Sequence, residues 1–186
     1  MQRVWAVQRA GATLAFIAGK TNTIDLGRLG LSSGEGASPR ATVAIDAIEL
    51  GGQRYTAPGD TADARLDISR TTTGYALRLR YAVRLEGPCM LCLEDASQEL
   101  SIDAREVDQP GGGDDLRSPY LDGDELDLRS WARDALVLAL PVQIRCTAEC
   151  RGLCGICGAS LNDDPEHAHE REPDPRWAKL SQLKLD

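Results

Sequence analysis

A chain of 186 residues has room for one ordinary hydrophobic core and a small appendage. Its formal net charge of −8 excludes a surface clothed throughout in Lys and Arg, and 4% aromatic content with a single Phe offers no obvious base-stacking platform. No stretch approaches the ~20 apolar residues that span a bilayer.

Residues 1–20 have mixed periodicity and read as an N-terminal extension to which no function is assigned. Arg9 interrupts their apolar patches and no clean small-residue cleavage site follows, so they do not resemble a secretory signal. The six cysteines are therefore expected in a reducing cytoplasm rather than as three disulfides. Residues 24–29 predict a short strand running into a glycine turn, and 31–39 a flexible loop.

From Ala41 onward the two-residue alternation of half-buried strands takes over, with Val43, Ile45 and Ile48 first and a turn at Gly51-Gly52. A strand begins at 64–68. The clearest is 75–85, where Tyr75, Leu77, Leu79, Tyr81, Val83 and Leu85 share one face and Arg78, Arg80 and Arg84 the other. The turn at 71–74 precedes it, and 98–107 predicts the return strand, leaving Cys89-Met90-Leu91-Cys92 at a hairpin tip. Residues 109–123 form an acidic, glycine-rich loop. Asp127 caps a predicted helix through Leu140, with Leu128, Trp131, Ala132, Ala135, Leu136 and Ala139 at helical spacing and Pro141 as its stop.

The densest chemistry follows in 146–162 (CTAECRGLCGICGASLN), which holds Cys146, Cys150, Cys154 and Cys157. Gly152, Gly155 and Gly158 let that backbone fold back, so that several thiolates can converge on one soft cation. With Cys89, Cys92, His167 and His169 the count is six thiols and two imidazoles, the requirement of two tetrahedral zinc sites. A single ion held by Cys89, Cys92, Cys154 and Cys157 would also satisfy the spacing, so one or two zinc ions are expected. Further on, Asp174-Pro175 marks a helix start, with Trp177, Leu180 and Leu183 as its apolar stripe.

Several chemistries are set aside. Cys150, Cys154 and Cys157 have the spacing of three-cysteine iron–sulfur radical enzymes, but no repeated βα units exist to build the barrel those use. Gly111-Gly112-Gly113 lacks the Lys and Ser/Thr of a phosphate-binding loop. Fully ligated zinc leaves no open position for water, so no enzyme is expected.

The C-x2-C ending a strand, the acidic loop, D-L-x2-W, C-x3-C-x-G-L-C-x2-C-G-x2-L-N and the closing Asp174-Pro175-Arg176 together resemble the YceD family, the large ribosomal RNA subunit accumulation proteins, over residues 24–183. The early part contributes Asp25-Leu26-Gly27-Arg28-Leu29. Where many members carry a second C-x-C, this chain has His167-Ala168-His169, an exchange zinc accepts. The resemblance implies metal binding and a link to accumulation or processing of large-subunit ribosomal RNA. It also supports pairing Cys89 and Cys92 with Cys146 and Cys150 at one site, which leaves Cys154, Cys157, His167 and His169 for a second.

The expectation is an α+β protein: an antiparallel, partly barrel-like sheet with one core helix over 21–145, and a zinc-knuckle module with a C-terminal helix over 146–186. Candidate RNA contacts are Arg78, Arg80, Arg84, Arg145, Arg151, Arg176 and Lys179. Partners are large-subunit ribosomal RNA or a pre-ribosomal particle, and ribosomal proteins, with no membrane. The competing expectation is a zinc-stabilised adaptor whose acidic segments bind a basic ribosomal protein.

Overall fold

The strand-like alternation becomes a set of antiparallel ladders in the computed structural model, which describes residues 23–113 and 116–169. In chain order the elements are β1 (Thr23–Asp25), β2 (Gly36–Ala37), β3 (Arg40–Ala44), β4 (Ile48–Leu50), β5 (Gln53–Tyr55), β6 (Thr61–Arg70), β7 (Tyr75–Pro88), β8 (Asp95–Asp108), β9 (Leu121–Asp122), β10 (Glu125–Asp127) and the helix α1 (Leu128–Ala139). The expected extension over 1–20, the helix starting at Asp174-Pro175, Arg176 and Lys179 lie outside the described residues.

The main sheet runs β2-β6-β7-β8, with β3 also paired to β6. β7 and β8 pair from Tyr75 opposite Asp108 to Pro88 opposite Asp95, so the hairpin is longer than the predicted return strand. A two-stranded hairpin, β4-β5, turns at Gly51-Gly52, and β1, β10 and β9 form a small separate sheet. The loop expected over 31–39 contains β2, which pairs at Gly36 and Ala37 with Ser69 and Ile68.

Burial follows the pattern. Tyr75, Leu77, Leu79, Tyr81, Val83 and Leu85 are all buried, and α1 covers the sheet with Leu128, Trp131, Ala132, Ala135 and Leu136. The protein is thus α+β, but the partly barrel-like closure does not occur: the sheet stays open, and a helix rather than strand pairing shields its apolar face. The Tyr81 hydroxyl seals that layer by donating to Ala132 O at 2.6 Å, and burial pushes the phenol well above its ordinary range.

Local chemistry sets the helix ends. Asp127 Oδ1 accepts from Ser130 N at 3.0 Å, occupying one of the amides that a first turn leaves unpaired. Leu140 takes an extended backbone because Pro141 follows it. At the far end of the long hairpin, Tyr55 packs under Gly87 and donates its hydroxyl to Pro88 O at 2.7 Å. A Cβ at residue 87 would lie 2.5 Å from the Tyr55 ring, so only glycine admits this contact. That packing fixes the strand end from which the first two cysteines project. Among the described residues no helix is long and apolar enough to cross a membrane.

Candidate metal centre

The β7–β8 hairpin delivers Cys89 and Cys92 to its tip, and the chain leaving α1 comes back against them. Met90 N donates to Ile144 O at 2.9 Å, and Ile144 N donates to the Met90 thioether at 3.3 Å. Ile144 is fully buried, so this clasp is anchored in the core. Two residues later the chain places Cys146, and then Cys150, opposite the hairpin cysteines.

Cys89 Sγ lies 3.8 Å from Cys150 Sγ, and Cys92 Sγ lies 3.5 Å from Cys146 Sγ. A tetrahedral ion with metal–sulfur bonds of about 2.3 Å requires sulfur–sulfur edges of about 3.8 Å. All four sulfurs lie within 4.8 Å of one another, so this proximal set can hold one metal ion. Three of the four are buried, Cys89 completely.

The second, distal set is Cys154, Cys157, His167 and His169, whose ligand atoms also lie within 4.8 Å of one another. Cys157 Sγ is 3.1 Å from His167 Nε2 and 3.3 Å from His169 Nε2, and the two imidazole nitrogens are 3.0 Å apart. These edges are about half an ångström or less below those of a tetrahedral ion bound to sulfur and nitrogen, so this set can hold a metal as well. It is far more open to solvent: Cys157 and His169 are exposed.

Both C-x2-C turns use the same local device. Leu91 N donates to Cys89 Sγ at 3.4 Å, and Ile156 N donates to Cys154 Sγ at 3.5 Å. Burial works against the Cys89 thiolate, but the amides of Cys92, Leu91 and Cys146 outweigh it and hold the thiol down at about 6. Amides of Cys157 and Ile156 hold Cys154 down at about 6 too. The Asn162 side chain lowers Cys150, whereas at Cys92 the Glu94 amide is outweighed by burial and the neighbouring thiols, which push it up to about 12. Amides aimed at sulfur favour the thiolate that a metal needs.

The two sets share one scaffold. Gly152, at φ +77°, lies between them, and a Cβ there would come within 2.9 Å of Leu91 O. Leu153 N donates to that same carbonyl at 3.2 Å, which hangs the distal loop on the proximal hairpin. The sequence motif contained one further participant without a role. Asn162, at the end of the knuckle, bonds both the backbone of Arg151 and the sulfur of Cys150. Its only sequence signal was an amide side chain closing a glycine-rich turn.

The candidate RNA-contacting arginines divide. Arg78 grips Asp103 through Nε and a terminal nitrogen at 2.7 and 2.6 Å, Arg80 pairs with Asp67, and Arg84 lies 3.2 Å from Glu86. Arg145 and Arg151, beside the cysteines, instead bond neutral groups, Gln143 Oε1 and Pro165 O, and have no carboxylate ion pair among the described residues.

Residues 77–184 match the family described as "Large ribosomal RNA subunit accumulation protein YceD". The uncharacterized protein Rv2926c of Mycobacterium tuberculosis is 28% identical in an alignment of 175 positions that covers 87% of this chain and 80% of that protein. The uncharacterized protein Mb2951c of Mycobacterium bovis matches to the same extent. The uncharacterized protein ML1660 of Mycobacterium leprae is 43% identical over 58 residues, 31% of this chain and 26% of its own. No solved structure matches.

Proposed function

The chain belongs to the YceD family, whose match takes in more than half of its length, and from that premise we propose that it is a non-enzymatic, zinc-stabilised factor promoting accumulation or processing of large-subunit ribosomal RNA in the cytoplasm. The observation that carries the proposal is the meeting of two complete four-ligand sets at the tip of the long hairpin. Thiolate and imidazole sets without a carboxylate suit zinc, and four protein ligands leave no coordination position for substrate. Each set holds one zinc and clamps the loops that meet the partner.

RNA phosphates are met beside those loops, by Arg145 and Arg151 more than by Arg78 and Arg80. The latter two are already engaged with Asp103 and Asp67, and an arginine released from a carboxylate loses one favourable interaction as it gains another. Phosphate contacts of this kind set position rather than sequence specificity.

One observation favours the adaptor reading. The ion-paired sheet face and the net charge of −8 suit a basic ribosomal protein better than bare RNA. Crosslinking the protein to RNA in growing cells separates the two. Enrichment of one region of large-subunit ribosomal RNA, reduced in an Arg145→Ser/Arg151→Ser variant that keeps its zinc, supports RNA contact. No enrichment, with ribosomal proteins captured instead, replaces it with the adaptor.

A further inference from the structure

Asn162 sits in the loop between two distal ligands, Cys157 and His167, yet its side chain reaches a proximal one. Its Oδ1 accepts from Arg151 N at 2.8 Å, and its Nδ2 lies 3.5 Å from Cys150 Sγ. The orientation of the amide is dictated chemically. A backbone N–H can only donate, so the oxygen must face Arg151, and the NH2 group is left for a sulfur that, as a thiolate, can only accept.

The loop holding Asn162 has little core of its own. It is kept by a few backbone bonds, Leu161 N to Gly152 O at 2.9 Å and Cys154 N to Ala159 O at 2.8 Å, by Arg151 to Pro165 O at 2.8 Å, and by convergence of the four distal ligands. An ion joining the four distal ligands would close the loop from Cys154 to His169, the loop that carries the Asn162 amide to Cys150.

Resting on the reading that both sets hold metal, we infer that Asn162 is a positioning residue coupling them: occupancy of the distal set tightens the hold on the proximal ion through the Nδ2–H···Sγ bond to Cys150. Partners that orient metal ligands typically change affinity by 10–100-fold when removed. Coupling of binding is reciprocal, so filling the proximal set tightens the distal one by the same factor.

The test uses the full chain and cobalt(II), whose thiolate charge-transfer absorption reports sulfur ligation, with the proximal affinity measured by chelator competition. Asn162→Asp keeps the acceptor for Arg151 N and removes the donor to sulfur. It is expected to weaken proximal binding about tenfold and move the charge-transfer band to lower energy, with the far-ultraviolet spectrum unchanged. His167→Ala/His169→Ala, which disables the distal set, is expected to weaken the proximal site to a similar degree. Combining the two changes adds little, because both act through one bond. Wild-type affinity and band position in Asn162→Asp, or losses that multiply in the combined variant, overturn the coupling. Fewer than two cobalt ions on the wild-type chain overturns the metal reading itself, and the coupling with it.

Discussion

The proximal and distal ligand sets hold the same number of ligands in opposite settings. The proximal set draws its cysteines from segments 61 residues apart, as Cys89 and Cys150 illustrate, and is roofed by core side chains. The distal set is assembled within residues 154–169 and faces solvent. An ion in the first ties a β-hairpin to the chain leaving a helix, whereas an ion in the second ties a loop to itself. Bridging distant segments restricts the unfolded chain more, because loop-closure entropy grows with loop length.

The largest expected effect breaks this comparison directly. Cys89→Ser should remove one zinc and, with it, a binding free energy of about 10–16 kcal/mol, comparable to the whole stability of a domain. A thermal transition at a much lower temperature is expected for that variant, read by circular dichroism beside zinc per chain. Cys157→Ser should also remove one zinc but leave the main transition in place. If the two variants melt alike, the difference in setting has no energetic consequence.

Weakening the body rather than the metal gives the converse. Trp131 is large and 2% exposed beneath the sheet, and Trp131→Ala should cost about 3–5 kcal/mol in denaturant unfolding. The distal set is built from local contacts, so zinc per chain should stay at two under native conditions. A drop to one would show that the loop depends on the core more than its contacts imply.

The smallest effect concerns protons. Cys89 and Cys154 are held at about 6, below the ordinary thiol value, so between about 6 and 9 the folded chain carries thiolates where the unfolded chain carries thiols. The unfolded state binds more protons in that window, and the stability of the reduced, metal-stripped chain should therefore rise with pH across it and be lost as pH falls toward 6. Denaturant midpoints at pH 6, 7.5 and 9 check this, and Cys89→Ser and Cys154→Ser should each flatten part of the rise.

Much of this arrangement was legible along the chain. The alternation from Tyr75 to Leu85 announced which face is buried, since a strand repeats every two residues and water sorts the faces. Asp127 and Pro141 bracketed the helix for equally local reasons. The eight candidate metal ligands were countable, because few other roles collect thiols and imidazoles at such spacings. Their division into two sets came from the family resemblance and not from spacing, because a single ribbon of Cys89, Cys92, Cys154 and Cys157 satisfies the same spacing.

By itself, then, the sequence determined the antiparallel α+β character, the count of candidate ligands and the family, all of which reside in side-chain type and short-range periodicity. Three things were decided only in three dimensions. The sheet stayed open because α1 occupied the face that closure would have covered. Arg78 and Arg80 acquired carboxylate partners diagonally across the ladders: Asp103 stands opposite Arg80 but pairs with Arg78, and Asp67 stands opposite Arg78 but pairs with Arg80. The route that brings Cys146 and Cys150 to Cys89 and Cys92, the pairing that the family resemblance implied, was set by Ile144, which is buried against Met90 and carries the chain back to the hairpin tip. Each depends on contacts between residues far apart in the chain, which no local pattern encodes.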